Sequence, residues 1–162
     1  MPLNLPSKLT SIRRGWQLLD QAFKVIKPRL LPGKTERQIK RQINQFLKKS
    51  GARGFAFPTI VAFGNHTANI HHQPTARKLT KNQIVMIDIG VKINGWCSDE
   101  TRMFFVGRPK PLWIKTYRLV LKAQSMALKH LRGGRMDSSE VDRVARKIVQ
   151  FPHGLGHGLG KK

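Results

Sequence analysis

The sequence predicts an α/β (α+β) chain in which helices cover a mainly antiparallel sheet. Three observations lead there. Apolar residues recur at helical spacing in the first fifty residues, two β-rich runs flank an Asn-Gly pair near the middle, and helical spacing returns after Pro111. A length of 162 residues suits one ordinary domain with a real core, and an apolar share of 40% favours folding over disorder.

Residues 9–27 read as a helix, because Ile12, Trp16, Leu19, Phe23 and Ile26 follow one another at spacings of four and three and share a face. Pro28 ends it, and Pro32-Gly33 is a turn. Thr35-Glu36-Arg37-Gln38 forms a capping box, and Ile39, Ile43, Phe46 and Leu47 carry a second helix to Gly51. FAFPTIVAFG, from Phe55, is short, aromatic and β-branched, with a proline that argues against an uninterrupted central strand. GNHTANIHHQPT is a polar loop. The stretch IVMIDIGVKINGWCSDETRMFFVG is a hairpin turning at Asn94-Gly95. Pro109 and Pro111 mark a break.

A third helix follows from about Leu112 to Leu131, with Tyr117, Val120, Leu121, Gln124, Leu128 and Leu131 on one side and Gly133-Gly134 as its stop. Asp137 caps a fourth helix whose face is Val141, Val144, Ala145 and Ile148. FPHGLGHGLGKK then closes the sequence. Its glycines make a helix through His153 and His157 costly, so an extended or looped segment is expected. The order is two helices, strands, then two helices and little sheet.

Thirty-one basic residues against eight acidic ones give a net charge of +23, which favours polyanions. The cations are spread from Lys8 to Lys162 in pairs at most, whereas a dedicated nucleic-acid arm is more often one dense block. The single Cys97, the lack of a secretory signal and the lack of a membrane-length apolar run together point to the cytoplasm.

The hairpin carries the chemistry. With Asn94 and Gly95 as turn residues, Ile93 pairs with Trp96, Asp88 with Thr101 and Gly90 with Asp99, so Asp88 and Asp99 lie on one face as diagonal neighbours about 7–8 Å apart. Asp88 interrupts the apolar run from Ile84 to Ile89 and so reads as buried, and two carboxylates on one face repel, so the pair needs compensation. Two readings compete: a metal cation, or salt bridges to arginines such as Arg102. Two Asp with one or two His suit Mn, Fe, Co or Zn. His71 and His72 lie in the polar loop, where a lone histidine is ordinarily solvated; His130 suits a helix C-terminus, and His66 carries no argument. The remaining acids, Glu36 among them, sit mostly on helices or at caps.

Taken together, IVMIDIGVKINGWCSDETRMFFVG, HHQPTARKL and HGLGHGLG resemble the metallopeptidases with the pita-bread fold, family M24, and within them the Xaa-Pro aminopeptidase and prolidase branch, from about Ser11 to Gly160. The resemblance implies a curved sheet covered by helices. It also implies two divalent metal ions, manganese first with cobalt, zinc or iron as alternatives, held by two Asp, one His and two Glu. By motif match the metal ligands are Asp88, Asp99 and His157, while His71 and His153 face the substrate, a peptide with proline at its second position. The implied reaction is release of the residue before that proline by a metal-bridging hydroxide.

In the family the two Glu ligands follow the HGLGHG block, and more residues separate the fourth helix from the histidines. The resemblance therefore implies a single partial catalytic domain over 1–162, with a first half-repeat at 9–109 and the start of a second at 110–162. It implies a C-terminal truncation and a chain inactive alone. Two alternatives are a catalytically dead relative that binds RNA or the ribosome through its basic surface, and a half-protein, open to homo-oligomer formation, that assembles with a partner supplying the missing strands and Glu ligands.

Overall fold

A computed structural model describes residues 5–132 and 137–161. The chain divides into two compact units, Met1–Pro109 with Leu159–Lys162, and Lys110–Gly158, each with its own buried cluster.

The first unit opens with helix α1, Leu5–Ile26, followed by a 3-10 turn at Lys27–Arg29 that accommodates Pro28. Ile12, Leu19, Phe23 and Ile26 are buried as expected, but Trp16 is 43% exposed. The buried stripe is centred on Gly15, Leu19, Ala22 and Ile26, which leaves Trp16 at its border, where its indole N–H donates to the Asp99 carbonyl at 3.3 Å. Helix α2, Glu36–Lys49, begins with both bonds of the capping box and buries Ile39, Ile43 and Leu47.

Four strands follow: β1 Gly54–Phe55, β2 Ile60–Phe63, β3 Gln83–Ile93 and β4 Trp96–Val106. All pairings are antiparallel, with β3 central. Strand β4 runs along its whole length on one edge, and β1 and β2 share the other. Pro58 falls between β1 and β2, where no ladder bond is lost. The hairpin register is the expected one, from Ile93 opposite Trp96 to Asp88 opposite Thr101. Asn94 (φ 51°) and Gly95 (φ 80°) both adopt the left-handed conformation that a two-residue turn needs to match the strand twist.

Alternation along β3 sorts its two faces. Val85, Ile87, Ile89, Val91 and Ile93 pack with Leu19, Ile26, Ile39, Ile43 and Leu47 beneath the helices. Asp88 and Gly90 face the other way. Gly15 lets α1 approach β4 closely: a Cβ there would collide with the Ser98 side chain, whose hydroxyl donates to the Ile12 carbonyl.

In the second unit, helix α3, Pro111–Arg132, packs on helix α4, Ser138–Arg146, through Ala123 and Ala127 against Val141 and Ala145. This corrects the expected contact face. Tyr117, Val120, Leu121, Leu128 and Leu131 are all at least 40% exposed, because the short alanine side chains let the two helices meet. Asp137 caps α4 by accepting from the Ser139 N–H at 3.1 Å, and the helix ends at Arg146, two residues short of Ile148. The Gly133-Gly134 stop lies outside the described residues. Among the described residues no helix is long and apolar enough to cross a membrane.

The Gly15 contact yields a test. Alanine normally stabilises a helix interior by about 1 kcal/mol over glycine, yet Gly15→Ala is expected to destabilise this chain by about 1–3 kcal/mol through overpacking. In a Ser98→Gly background the same change should cost much less, read as coupling in a double-mutant cycle by urea unfolding.

Candidate active site

Strand register brings Asp88 and Asp99 to the sheet face opposite α1 and α2. Both are half-buried. Thr101, directly across from Asp88, donates its hydroxyl to Asp88 Oδ1 at 2.7 Å. Burial pushes the Asp88 carboxyl above its ordinary range. The Thr101 hydroxyl opposes that, the negative charge of Asp99 adds to it, and the nearby His71 pulls it back. The structure thus brings Asp88, Asp99 and His71 into one electrostatic neighbourhood.

Arg102 does not bridge to Asp88, contrary to the salt-bridge reading. One position beyond Thr101, it points to the helix face, where it ion-pairs with Glu100, lies 3.8 Å from Asp20 and covers the Phe23 ring at 5.5 Å. Glu100 is itself pushed upward by burial and by Asp20, against the pull of Arg102. On the opposite face Asp88 and Asp99, with burial disfavouring the charge on Asp88, form a donor set that a hard cation suits.

A second cluster escapes the sequence reading entirely. Glu36, the first residue of α2, is fully buried. Its Oε1 accepts from the Phe63 N–H at 2.9 Å and lies 2.7 Å from His66 Nδ1. Its Oε2 accepts from the Thr75 N–H and hydroxyl, both at 2.8 Å, and lies 2.9 Å from His72 Nε2. His72 is buried and not a solvated loop residue, and the His66 and His72 rings sit 4.3 Å apart. Burial alone would raise the Glu36 carboxyl, but the bonds from His72, Thr75 and His66 outweigh it and hold the pKa at about 2.

Ligating atoms of Glu36, His66 and His72 lie within 4.8 Å of one another, the spacing of a metal site. The donors already on both oxygens compensate the charge, so the cluster works as a hydrogen-bond hub. It ties α2, β2 and the 64–75 loop together. The sequence offers one signal for it: with only eight acids in the chain, each must be accounted for.

His71 sits on that loop, exposed, with its N–H on Asn69 Oδ1 at 3.0 Å. His153 and His157 belong to the second unit, in an exposed segment without regular structure, as the glycines foretell. Each ring places Nδ1 on the next residue's carbonyl, His153 on Gly154 at 2.8 Å and His157 on Gly158 at 3.1 Å. A carbonyl requires a donor, so a neutral ring keeps its lone pair on Nε2. Arg146 organises the start of the segment: its guanidinium donates to Asp142 at 2.6 Å and to the carbonyls of Phe151 (2.6 Å) and His153 (2.8 Å), and it covers the Phe151 ring at 4.2 Å.

Comparison with known proteins bears on this arrangement. A family model described as metallopeptidase family M24 matches residues 10–162. An uncharacterised peptidase of Staphylococcus epidermidis is 36% identical over 160 residues, 94% of this chain and 45% of its own length. The crystal structure of a prolidase from Thermococcus sibiricus superimposes with a TM-score of 0.88 at 33% identity, covering 96% of this chain and 44% of that one. An X-Pro aminopeptidase from Thermotoga maritima gives 0.87 at 28% identity, covering 96% and 45%. The chain therefore spans a little under half the length of the proteins it matches, and its fold is the corresponding part of the pita-bread fold.

The hub predicts a pH signature. A carboxyl lowered to about 2 from 4.5 contributes stability that is fully present above pH 4.5 and lost as pH falls towards 2. The contribution is about 3 kcal/mol. Glu36→Gln should lose at least that much at neutral pH, because it leaves buried donors unpaired. The gap between wild type and variant, measured by urea unfolding, should narrow steadily on acidification. A pH-independent gap would count against an ionised hub.

Proposed function

The chain belongs to metallopeptidase family M24, and we propose that it contributes to the site of a metal-dependent exopeptidase that releases the residue preceding a proline. The observation that carries this reading is the pair Asp88 and Asp99 on one sheet face, with His71 close enough to lower the Asp88 pKa. A purely polyanion-binding protein has no use for two adjacent carboxylates on one face.

In this reading Asp88, Asp99 and His157 hold divalent metal, two ions in the complete site and manganese first among the candidates. Bound metal would supply an activated water and polarise the scissile carbonyl. The Thr101 hydroxyl keeps the Asp88 carboxylate oriented by occupying Oδ1. His71 and His153 face the peptide, where a neutral imidazole can hold or return a proton as charge develops. The Arg146 clasp fixes the backbone at His153, and the free, buried Cys97 thiol is compatible with a cytoplasmic setting. The preference for proline is supported by the prolidase and X-Pro aminopeptidase among the similar structures. Three of the five ligands implied by the family resemblance are assigned here.

Two measurements test this. The 162 residues alone are expected to show no metal-dependent cleavage of Xaa-Pro peptides, and measurable turnover would refute that expectation. A chimera joining them to the remaining length of the Thermococcus prolidase is expected to cleave Xaa-Pro over Xaa-Ala at least about ten-fold faster with manganese. In the chimera Asp88→Asn should lower kcat by about a hundred-fold or more, in line with the loss of a key electrostatic group. An active Asp88→Asn chimera would remove Asp88 from the site.

A further inference from the structure

We infer that the exposed face of the α1–α2 layer binds the phosphate backbone of a nucleic acid. This goes beyond the peptidase reading and lies on the opposite side of the sheet from Asp88 and Asp99. Residues 8–53 contain thirteen lysines and arginines but only two acids, Asp20 and Glu36. These two acids offset little of that charge. Glu36 is fully buried and consumed by its hub, and Asp20 lies beside Arg102 of β4. About half of the +23 charge therefore falls within these two helices and their flanks.

The placement fits a strand of phosphates. Arg37, Arg41 and Lys48 fall on one side of α2, away from the buried Ile39, Ile43 and Leu47. They span about 17 Å along its axis. The row leads into an open cleft of about 440 Å³ where Arg14, Lys48 and Arg53 converge beside Asn94 at the hairpin tip. Exposed Gln45 lies between the cations and can bond sugar or base edges.

An anionic membrane is the competing partner, but a helix that settles on lipid needs large apolar side chains next to its cations. Among the described residues α2, which carries the row of cations, exposes none, because its apolar side chains are spent on the core, and α1 adds only Leu9 and Trp16, the latter tied to the Asp99 carbonyl. A protein partner fits less well, since interface cores are depleted in lysine.

The test is fluorescence anisotropy of the whole chain with labelled single-stranded RNA, single-stranded DNA and duplex of about 30 nucleotides, over a salt series around 0.1 M. Binding is expected to all three, with affinity falling as roughly the third to fifth power of salt. The triple variant R41Q/K48Q/R53Q should weaken binding about ten-fold or more and flatten the log–log slope by about 2–3. A control triple with the same charge loss on α3, K115Q/R118Q/K122Q, should change affinity less than about three-fold, as expected for charges that are not part of the proposed contact. Should the first triple fail to fold by circular dichroism, the single variants R41Q and R53Q, each flattening the slope by about 1, decide the matter. Absence of binding near 0.1 M salt, equal losses in both triples, or tighter binding to phosphatidylserine vesicles than to any oligonucleotide would overturn the proposal. None of these readouts depends on peptidase activity.

Discussion

A single buried anion organises the first unit of this protein. The Glu36 carboxylate, at the start of a helix and away from water, gathers donors from β2, from both histidines and from Thr75. An uncompensated charge there would be prohibitive, so every donor must be in place at once. That demand closes the loop between β2 and β3 over the end of α2. His71 belongs to the same loop, one residue before His72, so its position next to Asp88 follows from a bond made by its neighbour. The helix start supplies a favourable field for the anion as well.

The second constraint is the sheet's alternation. Once Asn94 and Gly95 fix the hairpin register, each residue's face is decided. Apolar odd-numbered positions of β3 meet the helices, and Asp88 is left on the open side with Asp99 as its diagonal neighbour. The same parity sends Arg102 to the helix face, where it serves Glu100 and Asp20. One register therefore separates an acidic face from a helical layer rich in cations. The two roles proposed for this chain use opposite faces and are compatible because the sheet stands between them.

Much of this is legible in the amino-acid order. The hairpin register, the capping box at Thr35, the N-cap at Asp137 and the looped histidine segment rest on local rules that act within a few residues. The errors arise where a distant partner decides. Trp16 fits the helical spacing but lies at the border of the stripe, since the sheet beneath favours close approach at Gly15. On α3 the largest apolar side chains suggest the contact, yet two alanines make it. Glu36 reads as an ordinary helix-start acid, and His66 and His72 read as loop residues. Their meeting spans 30 and 36 positions, and no periodicity records it.

Glu36 is a structural anion, ionised down to about pH 2, on which the loop bearing His71 depends. The most direct test is a pH titration of the Glu36 side-chain carboxyl carbon by ¹³C NMR, with loop amides followed in the same spectra. A midpoint of about 2 is expected, with the amides of Phe63 and Thr75 shifting together with it. A midpoint near the ordinary value of 4.5, or loop amides indifferent to it, would contradict the account.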